Sequence, residues 1–306
     1  MNKKNRWLLG LLLSMGLMFL TGCWDRMEIE ERGAILGLAI DPITSDGAID
    51  NVTGRNAKSD LHSIRLTAQV AIPGRISLGP STEGGAGGGS TKPVWVFSTT
   101  GKTLDDAMNN LQQELADQIF LGHLRVIIVN KKLVEKGGMN DIQDYLRRNT
   151  EIRRLAWLFI VSKSSAKEAM EAAPKLERVP TLYLVSTMDH AVKMGKMPNI
   201  FLGTYWSQLS SLGQEPVLPM ISVKNKNIIK TEGLAVFNGE RLVGSLDPIE
   251  VGLYMELRNQ HHAGYGVAIP MPGDPQHSVI IKGTSRDTRI RLRKENKGGD
   301  RCKNIK

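Results

Sequence analysis

The sequence predicts a mixed α/β protein, and three observations carry that prediction. Residues 63–72, SIRLTAQVAI, alternate strictly and place Ile64, Leu66, Ala68, Val70 and Ile72 on one face of a half-buried strand. Short apolar runs at 34–40, 124–129 and 155–161 read as strands buried on both faces. Capped helical segments fall between these runs, so strands alternate with helices from 94 to 172, the pattern of one sheet covered by helices. The expected organisation is an exported lipoprotein with a sheet-plus-helices domain at 23–214. A second, truncated α/β unit is expected at 215–282, followed by an atypical basic tail at 283–306.

In chain order, the basic cluster Lys3, Lys4 and Arg6 precedes a 14-residue apolar run from Trp7 to Leu20. A helix needs about 20 apolar residues to span a bilayer, so residues 1–22 read as an export signal. Leu20-Thr21-Gly22-Cys23 resembles a bacterial lipobox, whose small residues admit a peptidase to the bond before the cysteine. Cys23 would then open the mature chain, carrying diacylglycerol and an N-acyl group. Each buried methylene contributes about 0.8 kcal/mol, and stable attachment takes two chains or more, which such a cysteine provides.

Asp25–Arg32 is a mixed-charge segment with the makings of a short helix, and Asp41-Pro42 closes the strand that follows it. Residues 73–93 include GGAGGGS, which has no side chains to pack, and read as a flexible loop before a strand at 94–98. Thr103 caps a helix whose first turn carries Asp105 and Asp106, and Leu104, Met108, Leu111 and Leu115 share one face. Ile142, Tyr145 and Leu146 mark a further helix. Ser165 and Glu168 have capping-box spacing, and that helix stops before Pro174. Helical patterns continue at 181–192 and 202–209, and Gly213–Pro216 reads as a break. Asn238-Gly239 then joins two strands in a hairpin, because both residues tolerate the positive φ of a tight turn. Asp247-Pro248-Ile249-Glu250 supplies a cap, a first-turn proline and a third-position carboxylate for a helix to about Arg258.

The net charge of +9 suggests nucleic acid or an anionic surface until it is located. The leader contributes +3 and residues 283–306 contribute +6, so residues 23–282 are neutral and the DNA-binding reading loses its support. With only Cys23 and Cys302 present, a lipidated Cys23 leaves no intramolecular disulfide.

Catalytic signatures are missing from the sequence. It has no G-x-S-x-G elbow, no H-E-x-x-H and no Walker loop, and glycines 84–89 lie in a loop rather than opening a helix. His261 and His262 are adjacent, point apart on an extended backbone and lack ligands at metal-binding spacing, so neither a metal site nor a cofactor site is expected. Two features suit a partner surface. His123 stands just before a buried strand. The run Arg147-Arg148-Asn149-Thr150-Glu151-Ile152-Arg153-Arg154 joins a helix to a strand, where Arg147 and Arg153 would offer guanidinium forks to carboxylates.

Several segments resemble the Ger(x)C family of spore germination lipoproteins: CWDRMEIEERGAILGLAIDP, VWVFSTTGKTLDDAMNNL, GHLRVIIVNKKL, DYLRRNTEIRRLAWLFIVSKSSAKEAM and EGLAVFNGERLVGSLDPIE. The resemblance runs from Cys23 to about Lys282. It implies a non-enzymatic C subunit of a nutrient germinant receptor, lipidated at Cys23 on the outer face of the spore inner membrane. Its partners would be the A- and B-type membrane subunits. Family members usually continue after a strand like HSVIIK into a further α/β portion, whereas this chain goes on into GTSRDTRIRLRKENKGGDRCKNIK, which reads as a replaced ending. The competing function is a solute-binding lipoprotein serving a transporter-like partner. That class shows two similar lobes around a cleft, and here the second unit is short and unlike the first.

The lipobox generates a direct prediction. Cys23→Ala should abolish incorporation of a fatty-acid analogue and move the protein out of the membrane fraction. Undiminished label on the variant would refute the anchor.

Overall fold

The computed structural model describes Lys4, Trp7 and residues 32–43, 63–72, 93–174, 177–258, 266–282, 290–293 and 301–304. Cys23, the segment 25–31, the glycine-rich stretch and His261-His262 lie outside the described residues. Three strands open the fold: β1 (Arg32–Pro42), β2 (Ile64–Ala71) and β3 (Val94–Gly101). Six more follow: β4 (Gln118–Phe120), β5 (Val126–Asn130), β6 (Trp157–Val161), β7 (Val217–Lys224), β8 (Ile228–Asn238) and β9 (Arg241–Leu246). They form one nine-stranded sheet in the order β3-β2-β1-β5-β6-β7-β8-β9, with the short β4 beside the start of β1.

The four central strands, β1, β5, β6 and β7, are mutually parallel, and antiparallel strands close both sides. Every residue of β5 and β6 is buried, which is why VIIVN and WLFIV read as unbroken apolar runs rather than alternating ones. The break at Gly213–Pro216 does not interrupt the sheet. β7 follows it directly and pairs with β6 through Ile160↔Met220 and Val161↔Ile221.

Seven helices cover the sheet among the described residues: α1 (Leu104–Glu114), α2 (Lys131–Glu135), α3 (Met139–Arg148), α4 (Ala166–Glu171), α5 (Pro180–Lys193), α6 (Leu202–Ser210) and α7 (Pro248–Leu257). The expected caps are in place. Thr103 accepts from the Asp106 amide, and Ser165–Glu168 and Asp247–Glu250 form full capping boxes. Helix α1 packs on β3 and β2, α4 on β1 and β5, and α7 on β8. Helix α7 buries Val251 and Met255 and leaves Ile249, Leu253 and Leu257 bare.

Polar side chains reaching out of the sheet fix where the helices start. Asp41, 5% exposed, accepts from the Ala166 amide at 2.7 Å, the Lys167 amide at 2.9 Å and the Asn130 side-chain amide at 2.7 Å. Asn130 in turn accepts from the Lys132 amide and caps α2. Gln69, paired with Gly37 across β1 and β2, accepts from the amide and hydroxyl of Thr181 at the start of α5. Gly37 is required by this packing, since a Cβ there would lie 2.7 Å from the Met170 sulfur. Gly233 has a φ of 140° where β8 meets β7 irregularly, and a side chain there would strike the Leu246 carbonyl.

A second latch holds the β6–β8 region. Glu232 binds the Lys163 ammonium at 2.6 Å and accepts from the Ser222 hydroxyl at 2.7 Å. The Lys163 contact holds its carboxyl below the ordinary carboxylate range, against the opposing effect of burial. Beyond α7, β10 (Gly266–Met271) and β11 (Asp274–Lys282) form a separate hairpin. The atypical basic tail contains β12 (Ile290–Arg293) and β13 (Arg301–Asn304), which pair antiparallel.

Removing the Asp41 carboxylate strands three donors, two of them at the first turn of α4. Leaving a buried polar group unpaired costs about 1–3 kcal/mol. Asp41→Ala should therefore lower unfolding stability by about 3 kcal/mol or more, and Asp41→Asn, which keeps one acceptor, by less. A change in the urea midpoint equivalent to under about 0.5 kcal/mol would show that water replaces the carboxylate.

Candidate functional site

Parallel strands β1, β5, β6 and β7 begin at the same end of the sheet, and the connections leading into β5 and β6 carry the side chains expected to meet a partner. These two connections are braced together. Glu151 accepts from the Leu121 amide at 2.9 Å, and the Trp157 amide donates to the Arg125 carbonyl at 2.8 Å. Leu124 donates back to Leu121 in a turn that presents His123 to solvent. The His123 ring meets Phe120 edge-on at 5.5 Å, and the Arg32 guanidinium lies 4.9 Å from the same Phe120 ring.

Arginines in the 147–154 run sort into three roles that spacing alone does not separate. Arg148 pairs with Asp144 one turn earlier on α3, so its charge is met within the helix. Arg147 and Arg154 come together from opposite ends of the run, each with its guanidinium 5.9 Å from the Trp206 ring on α6. Arg153 is exposed beside Leu155, which is 71% exposed. Among the described residues, the ion pairs leave Arg125, Arg147, Arg153 and Arg154 without a carboxylate.

The backbone of this connection also caps α6. The Leu202 amide donates to the Ala156 carbonyl at 2.9 Å and the Gly203 amide to the Arg154 carbonyl at 2.8 Å. Gly203 permits that approach, since a Cβ there would sit 2.8 Å from the Arg154 Cβ. Beneath the arginines lie Gln143 and Tyr205, both essentially fully buried. Burial raises the Tyr205 pKa, with a smaller contribution from Glu240, so the phenol stays neutral.

On the other side of α3, an open cleft against α1 holds two adjoining hollows of about 460 and 420 Å³. Asp105, Tyr145, Arg148 and Asn149 line both. Burial raises the Tyr145 pKa as well. The cleft brings no nucleophile against a base. No group of three or more His, Cys, Asp or Glu side chains placed to hold a metal occurs among the described residues. None of the described helices is long and apolar enough to cross a membrane.

The structure thus gathers His123 and Arg153 on braced neighbouring connections and turns Arg147 toward α6. Sequence reasoning missed Trp206 and Arg125. The signal for Trp206 was only a half-buried aromatic on an apolar helix, and Arg125 sits inside what reads as a strand.

Comparison with known proteins places these features in a family. Residues 25–223 match the model of the spore germination protein N-terminal domain, and residues 232–300 match that of the spore germination B3/GerAC-like C-terminal domain. The second match reaches past Lys282, where the sequence resemblance was expected to end. The putative spore germination protein YfkR of Bacillus subtilis is 30% identical over 248 residues, 79% of this chain and 58% of the relative. Spore germination protein KC of the same organism is 23% identical, over 76% of this chain and 56% of its own length. Spore germination protein GerQC of Bacillus cereus is 24% identical over 94% of this chain and 70% of the relative. The chain therefore spans little more than half the length of the first two of these relatives. No solved structure matches it.

Proposed function

Because this chain belongs to the Ger(x)C family of spore germination proteins, we propose that it is a non-enzymatic subunit of a nutrient germinant receptor. Acyl chains on Cys23 hold it to the outer face of the spore inner membrane, beside A- and B-type membrane subunits. The observation that carries this reading is the family match over 25–223 and 232–300, which takes in the whole nine-stranded sheet from Arg32 to Leu246 apart from eight residues between the two matches. The continuity of that sheet across 214/215 supports a receptor subunit over a solute-binding lipoprotein, which would need two lobes hinged about a cleft.

Protein contact falls to Arg147 and Arg154. Two guanidiniums held over one indole, with no carboxylate of their own among the described residues, suit acidic side chains on a membrane subunit. The Trp206 ring lets two like charges stay close, because its π face offsets part of their repulsion.

Reversing both charges tests the contact. Like-charge juxtaposition at an interface costs several kcal/mol, and about 3 kcal/mol corresponds to roughly a hundredfold in affinity. Arg147→Glu with Arg154→Glu should strip the A- and B-type subunits from the purified complex and slow the nutrient response. The variant's thermal midpoint should stay close to that of the parent. Full recovery of both partners would return these arginines to the solvent.

A further inference from the structure

Arg153 and His123 remain, together with Arg32, Arg125 and Leu155, at the end of the sheet where β1, β5 and β6 begin. We propose that this end lies against the anionic headgroup surface of the bilayer, with Arg125 and Arg153 on lipid phosphates and Leu155 inserted among the headgroups. The inference rests on the reading of Cys23 as the lipid anchor.

Reach is the first argument. Eight residues lie between Cys23 and Arg32, and the nine Cα-to-Cα steps that join the two span at most about 30 Å when fully extended. Strand β1 has 11 residues, so at about 3.3 Å per residue its far end stands about 33 Å further from the anchor. The far end would meet the membrane only with the tether drawn out to its full length alongside the sheet. The near end meets it with the tether relaxed.

Charge alone does not choose between the ends, because the far end carries Lys131, Lys132, Lys163, Lys224, Lys226 and Lys230. Three of these are engaged: Lys163 and Lys230 with Glu232, and Lys131 with Glu135. The near end differs in kind. Its arginines present planar forks that suit phosphate, and none of them has a carboxylate partner among the described residues. Each cation at an anionic surface strengthens attachment about fivefold.

Leu155 is the second, independent observation. Among the described residues Leu155, between the exposed Arg154 and the buried Ala156, is left 71% exposed. Its place on a short connection braced through Glu151 and Leu121 holds it outward rather than letting it fold back. An aliphatic tip flanked by arginines fits the boundary between phosphates and acyl chains. His123, edge-on to Phe120 beside Arg32, lies on the same surface.

The test uses the full lipid-modified chain in a Cys302→Ser background, so that a single introduced thiol can be labelled. Leu155→Cys carries a polarity-sensitive fluorophore at the near end, and Lys226→Cys carries it at the far end. Each protein is reconstituted into vesicles of phosphatidylcholine, with or without phosphatidylglycerol. With phosphatidylglycerol present, the label at 155 should shift to shorter wavelength and lose its quenching by iodide, while the label at 226 stays quenched. Arg125→Glu with Arg153→Glu should restore quenching at 155 while the chain still floats with the vesicles. Equal quenching at both positions in floating chain overturns the orientation and leaves the anchor standing. Shielding at 226 instead of 155 overturns it too, as does shielding at 155 that appears only when the membrane subunits are added, which would assign this face to protein. A chain that does not float overturns the anchor and this proposal together.

Discussion

One buried carboxylate sets the relation between the sheet and its helices. Asp41 stands near the end of β1, paired with Arg65 of β2, and its side chain is nearly shut off from water. Its two oxygens take the first two amides of α4 and the side-chain amide of Asn130, and Asn130 passes the constraint on to α2. A single side chain thereby positions the helices that follow β5 and β6. Amides at a helix start carry partial positive charge, so the carboxylate is met by the groups that tolerate it best when buried. Gln69 does the same for α5 with a neutral side chain. Three of the seven helices among the described residues begin where the sheet directs them.

That arrangement explains what was legible in the sequence and what was not. β2 alternates in polarity but is not half-buried as its pattern suggested: Thr67 and Gln69 on its polar face are fully buried and hydrogen-bonded to Ser98 and Thr181, whereas β5 and β6 do not alternate because apolar residues fill both of their buried faces. These patterns are local and could be read directly. Caps at Thr103, Ser165 and Asp247 were equally readable, since each bonds only three residues along the chain. Asp41 was read only as the close of a strand, because its partners lie 89 to 126 residues away. The same holds for β7. A glycine-proline break before it suggested a boundary, and only the pairing with β6 shows the sheet continuing across that position.

The surface features followed the same division. Density of arginine between 147 and 154 was visible, but which arginines are free depends on tertiary neighbours. Arg148 is taken by Asp144 on its own helix, whereas Arg147 and Arg154 meet over a tryptophan more than 50 residues further along. The result is two surfaces with different chemistry on one side of the molecule. Two arginines meet over Trp206, and an arginine-leucine end is set where β1 begins, close along the chain to Cys23.

The proposed receptor role turns on how spores behave without this chain. Deleting its coding sequence and following loss of spore refractility across a panel of amino acids and sugars tests that most directly. The response to at least one nutrient mixture should be lost and should return when the chain is restored. Spores that respond to every nutrient at the parental rate without it would contradict the claim.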